Sequence, residues 1–500
     1  MARVMARGTI YLMVTQIVFL ASGYIIHFGL GRYLRPELYG TFGLVLSFVS
    51  IYQVLMHSGT TNAVSKYVAE NEELAGSIKN KALKFLGVFS LVVVVFIVSI
   101  ASLIANLLKD PALASYIRFT AVFVPVFALY SVYMGLLNGI RAFGKQAKIS
   151  IIHHITKVLV AFILVLLGLK IYGAIGGYLV AVIVALMLAY HYWKPGELKT
   201  SGDFKTVKII RFAAPVILFS VIFTLIISLD LFFVRAILKE KSQTGFYTSA
   251  AALSKVPYFI FLALNDTLFP SIAKSTSKKG SIKLTQRYIS QSLRYVLILL
   301  IPSTLIISAT SENLISLVYT DTYLVASLPL SILIFGLTFL CLFILLTTVI
   351  TASGRPKVSL MIASVLLIVS VVSNTILVPV YGLSGASIAT TITGITGILI
   401  AGVYVYRRFH ILTSPYSLVR IVSASLVVYL IARIFPVSGM FLVGYYIGLF
   451  FLYFALLFMF GEVKRKDIQL IKDTISGSLN SSRNKMFLDE EKGVDNSNTN

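Results

Sequence analysis

The sequence predicts an all-α, polytopic membrane protein of about fourteen transmembrane helices, built as two six-helix bundles in parallel repeat plus two added helices. Three observations lead there. Of the 500 residues, 58% are hydrophobic and only 12% are charged, where a soluble domain is roughly half apolar and a quarter charged. Apolar stretches of about 20 residues, each long enough to cross roughly 30 Å of hydrocarbon as a helix, recur from one end of the chain to the other. Short related segments return after about 209 residues, which marks a duplication.

In chain order the apolar runs place spans at 8–30, 39–61, 82–107, 116–138, 150–170, 172–193, 210–235, 247–272, 288–310, 325–349, 358–379, 383–406, 418–435 and 440–461. The first run follows "MARVMAR" as the apolar part of a signal peptide follows its basic start. It is long enough to span, and many spans follow, so it is read as retained. The net charge of +24 raises the question of nucleic acid, and the placement of the basic residues answers it. With the N-terminus inside, the cytoplasmic segments hold 31 of the 43 Lys and Arg residues and the outer segments hold 9. That bias orients a membrane protein with both termini in the cytoplasm and makes the basic loops orientation signals rather than a nucleic-acid surface. The expected location is the plasma membrane.

The duplication shows in three pairs of segments. "YGAIGGYLVA" (172–181) and "YGLSGASIAT" (381–390) each open an apolar run. "RPELYGTFGLVLSF" (35–48) and "EKSQTGFYTSAAAL" (240–253) each place a glycine and an aromatic at the start of the second helix of a half. "NGIRAFGKQAKIS" and "TASGRPKVSL" each precede the fifth. The expected domains are an N-terminal bundle at 1–193, a cytoplasmic linker at 194–209, a C-terminal bundle at 210–406, two further helices at 407–461 and a polar, largely disordered tail at 462–500. Because six is even, both bundles enter the bilayer in the same direction, and such parallel repeats commonly enclose a cavity that opens to either side in turn.

No Walker loop, HExxH or His/Cys cluster points to an enzyme. The single cysteine, Cys341, sits in an apolar run and reads as packing. Charges within spans carry the functional expectation instead. Asp230, in "TLIISLDLFFVRAIL" (224–238), lies twelve residues before the middle of the loop at 242, and Lys255 lies thirteen after it. The two are level in the membrane, where each charge costs about 2.5–3.5 kcal/mol. They are an ion pair tying helices seven and eight, or groups lining an aqueous cavity, Lys255 toward an anionic substrate and Asp230 toward a coupling cation, or residues with no contact at all; the readings stay open. Arg235 is expected to snorkel to the interface.

Weaker candidates follow. Arg294 and Lys157 lie about 9 and 12 Å inside their cytoplasmic ends at the helical rise, and each either binds substrate or reaches back to water. His153 shares a helical face with Lys157. Gln53, His57 and Asn62 descend one face of helix two and could line a cavity wall, while Asn265 and Asp266 sit near the inner end of helix eight. Arg32 and Arg35, in "GRYLRPEL", are a candidate latch or headgroup contact in the first outer loop, and Arg35 is also a candidate substrate-binding residue.

The stretch "SLDLFFVRAILKEKSQTGFYTSAAALSKVPYFIFLALNDTLFPSIAKS" (228–275) resembles helices seven and eight of the polysaccharide transporter family, within the multidrug/oligosaccharidyl-lipid/polysaccharide (MOP) flippase superfamily. Asp230, Gly245, Tyr247, Phe269 and Pro270 carry the match. "RYLRPELYGTFGL" and "NAVSKYVAE" are similar to the family's first loop and the end of its helix two, and the resemblance covers about residues 1–461. It implies a MATE-like fold and a Wzx-like flippase, which turns a polyprenyl-phosphate or polyprenyl-pyrophosphate oligosaccharide from the cytoplasmic to the outer leaflet by alternating access in polysaccharide synthesis. It also implies no cofactor beyond a coupling Na+ or H+. The protein would act as a monomer among membrane lipids, beside glycosyltransferases of the same pathway. Related lipid II flippases carry cavity arginines in helices one, two and eight; here those helices offer His27, Gln53, His57 and Lys255. A cation-coupled multidrug exporter of the same fold is the alternative.

Overall fold

The structure, a computed structural model, describes residues 2–193, 204–259, 261, 275 and 282–463. Residues 194–203 of the expected linker, part of the eighth predicted span with Asn265 and Asp266, and the tail from 464 lie outside the described residues. The first half runs α1 (Ala2–Tyr33), α2 (Pro36–Glu70), α3 (Ala75–Leu107), α4 (Leu113–Thr120), α5 (Phe123–Gly139), α6 (Phe143–Leu164) and α7 (Lys170–Tyr192). The second runs α8 (Thr206–Ile237), α9 (Lys241–Ser254), α10 (Ile282–Ala309), α11 (Ser311–Val318), α12 (Ser327–Ala352) and α13 (Pro356–Phe409), followed by α14 (Pro415–Ile434) and α15 (Phe441–Met459).

Among the described residues, eleven helical stretches are long and apolar enough to cross a membrane, against the fourteen spans expected. Two of the eleven, Phe143–Tyr192 and Pro356–Phe409, have 50 and 54 residues, about twice what one crossing needs. Each is broken where the sequence separates two spans. Gly382 takes φ +57° and ψ −130° inside α13, and Gly168 takes φ +89° between α6 and α7. A residue with a Cβ is strained in both conformations. The apolar side chains of α3 that face outward, among them Leu91, Val95 and Phe96, are exposed, as a helix bathed in acyl chains requires. The chain is a multi-pass membrane protein.

The repeat motifs seen in the sequence meet each other in space. Gly40 of α2 and Gly245 of α9 are 205 positions apart and occupy matching places in the two halves. A Cβ on Gly40 would lie 2.4 Å from the backbone nitrogen of Gly245, and one on Gly245 would lie 1.9 Å from the Pro36 carbonyl oxygen. Gly43 likewise abuts its counterpart, Thr248, at 2.5 Å. A residue touches its own repeat mate only close to the symmetry axis. The pseudo-twofold axis therefore passes between α2 and α9, along the membrane normal, and two glycines are what allow the backbones to meet there.

The two added helices pack apart from the rest. α14 and α15 join α10 through a separate apolar cluster that includes Ile306, Ile421, Val428, Tyr453 and Leu457. Below, the side of the molecule that carries the Lys/Arg-rich loops is the basic face; α2 and α9 begin at the opposite face.

Candidate functional site

Asp230 is 3% exposed, and its carboxylate is fully engaged. The Tyr247 hydroxyl donates to Oδ2 at 2.7 Å, the Thr390 hydroxyl donates to the same oxygen at 3.2 Å, and the Leu231 N–H donates to Oδ1 at 2.7 Å. Helices α8, α9 and the second arm of α13 thus share one buried acid. Asn374 stands as far before Gly382 as Thr390 stands after it, so the two are level across that hairpin. Asn374 is fully buried, and its Oδ1 has no hydrogen-bond partner among the described residues.

Lys255 acts on Asp230 through space but makes no ion pair with it, which corrects the first of the two readings taken from the sequence. The cause is local. Helix α9 ends at Ser254 with Lys255 as its cap, two residues before Pro257. A proline lacks the N–H that would continue the ladder and disfavours helix in the residue before it. Helix α9 is thus interrupted at the lysine, and the chain resumes with the Phe259 N–H donating to the Lys255 carbonyl at 3.1 Å.

The space between the bundles is lined differently. Lys157 of α6 is 6% exposed, with its ammonium 5.2 Å from the centre of the Tyr178 ring and 6.0 Å from that of Phe19. No carboxylate among the described residues pairs with it or with Lys255. Both lysines act electrostatically on His27, which places cations from α6 and from the end of α9 around one interior. From His57 a line of rings runs inward: His57 stacks on Tyr130 at 5.7 Å, Tyr130 meets His153 at 6.3 Å, His153 meets His154 at 4.9 Å, and His154 meets Phe19 at 5.3 Å. His27, His57 and Lys255 lie deep in the protein and yet keep part of their surface accessible. Among the described residues, Lys157 and Lys255 are thus cations without a paired carboxylate, while the Asp230 carboxylate is hydrogen-bonded.

At the face opposite the basic loops the two halves are sealed together. Arg32 of α1 donates to the carbonyls of Val318 at 2.8 Å and Tyr319 at 3.2 Å, and also to that of Leu317, so it caps α11 from the other bundle. The Tyr39 hydroxyl hydrogen-bonds to Tyr319 at 3.0 Å and to His27 Nδ1 at 3.0 Å, and the Tyr323 hydroxyl donates to the Gly31 carbonyl at 2.9 Å. Asp110, in the loop after α3, accepts from Arg235 at 2.8 Å and from Lys241 at 3.0 Å. Both Asp110 and Arg235 are 4% exposed in their side chains, so Arg235 is buried in a pair rather than snorkelling.

The other sequence candidates scatter. His57 joins the interior, with the Thr61 hydroxyl 3.2 Å from its Nδ1, while Gln53 and Asn62 are exposed. Arg35 is exposed at the sealed face, where its neighbour Arg32 makes the cross-bundle bonds. Arg294 is not part of the interior between the bundles. Its Nε donates to Glu462 at 2.7 Å, and Ser417 and Arg420 gather at the same carboxylate, so this group ties α10 to α14 and to the end of α15. A buried carboxylate 168 residues away drew Arg294 there, and nothing local announces it. Sequence reasoning also passed over Tyr24, His154 and Thr390.

Two parallel bundles about a shared axis, with a lined interior sealed at one face, define a membrane transporter of MATE-like architecture. Residues 30–328 match the family described as polysaccharide biosynthesis protein, and the chain belongs to that family. The "Putative O-antigen transporter" of Shigella flexneri is 23% identical over 73% of this chain and 88% of its own length. Among solved structures, the lipid II flippase MurJ in an inward closed conformation is similar with a TM-score of 0.72 at 16% identity, over 91% of this chain and 98% of the other. An inward-facing multidrug resistance transporter of the MATE family, in the MOP superfamily, has a TM-score of 0.66 at 14% identity, over 80% and 98%. Those two structures establish the fold, which carries unlike cargoes, so the lining must decide between them.

Proposed function

We propose that this chain is a flippase that carries a lipid-linked oligosaccharide, on a polyprenyl phosphate or pyrophosphate, from the cytoplasmic to the outer leaflet of the plasma membrane. The observation that carries the reading is Lys157 and Lys255, one from each bundle, in the interior and without a carboxylate partner among the described residues. A buried cation left alone is costly. A phosphate supplies the missing charge: at an effective dielectric constant of about 20, unit charges about 4 Å apart attract by roughly 4 kcal/mol. The saccharide is carried through the polar interior while the isoprenoid tail stays in lipid. A cationic drug would meet two ammonium groups, which disfavours the multidrug alternative.

The basic face is taken as cytoplasmic, with both termini there. The seal at the opposite face then describes a state ready to receive cargo from the cytoplasm. Alternating access consists of the bundles 1–193 and 210–406 rocking about the α2/α9 axis, with no covalent chemistry and with one chain sufficing, since it holds both bundles. Asp230, held by three donors, is the place for a coupling Na+ or H+. Glycosyltransferases that build the saccharide on the cytoplasmic leaflet supply the cargo.

Vesicles holding the purified chain and a fluorescent polyprenyl-pyrophosphate saccharide test the reading. Headgroup appearing in the far leaflet faster than in empty vesicles supports it. A rate equal to that of empty vesicles, from protein that expels a cationic dye in the same membranes, replaces it with the multidrug alternative.

A further inference from the structure

Beside Lys157 the interior holds polar atoms that no described residue satisfies. The Tyr24 hydroxyl and His154 Nδ1 are buried without a hydrogen-bond partner among the described residues. Unpaired buried polar atoms are uncommon in native structures and call for an explanation. Both sit against the same aromatic group. The Phe19 ring lies 5.3 Å from that of His154 and 5.6 Å, edge to face, from that of Phe259, and Phe259 in turn lies 6.2 Å from Tyr24, also edge to face. Phe19 and Tyr24 come from α1, His154 from α6 and Phe259 from the segment after Pro257, so the group spans both bundles. Its rings are partly accessible rather than packed away.

We propose that Phe19, Tyr24, His154 and Phe259 form a saccharide subsite that abuts the phosphate site at Lys157. A sugar has two kinds of surface, and this lining answers both. The aliphatic C–H face of a pyranose stacks on an aromatic ring, whose face carries negative charge density. The hydroxyls at its rim need donors and acceptors, which Tyr24 and His154 hold free. A few placed polar groups among aromatic walls are the usual make-up of a small-molecule site. Lys157, 6.0 Å from the Phe19 ring, fixes the order: an anion at its ammonium sets the adjoining sugar over that ring.

This inference rests on the phosphate reading of Lys157 and Lys255, and the test separates the two. The full chain in lipid nanodiscs is titrated, by competition with a fluorescent polyprenyl phosphate, with two probes: a polyprenyl monophosphate, and the same lipid carrying one hexose on its phosphate. Phe19→Leu keeps apolar bulk and removes the ring face; Tyr24→Phe removes one hydroxyl and keeps the packing. Loss of about tenfold for the hexose lipid in Phe19→Leu, and about threefold in Tyr24→Phe, is expected from a ring contact and a hydrogen bond, with the bare phosphate lipid changed by less than about twofold. Lys157→Gln is expected to weaken both probes alike. If Phe19→Leu and Tyr24→Phe affect neither probe, or both equally, the subsite is wrong while the phosphate site stands. If Lys157→Gln leaves both probes unchanged, the phosphate reading falls and the subsite falls with it.

Discussion

The sealed face and the interior handle buried charge in opposite ways. At the seal, Asp110 is met by Arg235 and Lys241, and Arg32 is met by three carbonyls of the other bundle. In the interior, Lys157 and Lys255 meet no carboxylate among the described residues, and Lys157 lies against ring faces. The seal satisfies itself, so it is a resting structure that the protein can hold alone. The interior lysines have no counter-charge among the described residues, and the proposed function supplies it with the ligand. Asp230 belongs with the seal in this respect: it lies in the interior, and Tyr247, Thr390 and Leu231 donate hydrogen bonds to its carboxylate.

Substitutions on the two sides should therefore change stability with opposite signs. Asp110→Asn strands the buried Arg235 and should cost about 3–5 kcal/mol of the sealed state, seen as a lower melting temperature and as faster labelling of a cysteine placed at Tyr319. If Asp110→Asn leaves both unchanged, the pair is not what closes that face. Tyr247→Phe removes one hydrogen bond to a carboxylate and should cost about 1.5–3 kcal/mol in the same melt; a silent Tyr247→Phe would mean that Asp230 is not held as described. Lys157→Met should go the other way, raising the melting temperature of the ligand-free protein by the equivalent of about 1 kcal/mol, since it removes an unpaired charge from the interior. A lower melting temperature for Lys157→Met would show that its ring contacts outweigh its burial and would blur the contrast.

What the sequence disclosed follows from the range of each signal. Hydropathy runs, loop charges and repeated glycines are local or periodic, so the spans and the duplication are directly readable, and Gly40 and Gly245 stand out as matching positions of the two halves. A hairpin ties depth to residue count, which is what couples Asp230 and Lys255 as an expectation. Residue count says nothing of azimuth, and the two make no ion pair. Arg235 and Arg294 were misplaced for a different reason: their partners, Asp110 and Glu462, are 125 and 168 residues away, and no spacing rule reaches that far. Tyr24 and His154 carry no signal of their own, since a tyrosine in an apolar helix is ordinarily packing.

The central claim, that an anionic headgroup completes the interior lysines, is tested most directly by a ligand-dependent melt. A polyprenyl phosphate at a hundred times its dissociation constant should stabilise the wild-type chain by about 2.7 kcal/mol, while the Lys157→Met, Lys255→Met double variant, more stable on its own, should gain almost nothing from the same lipid. An equal gain in both proteins would contradict the claim.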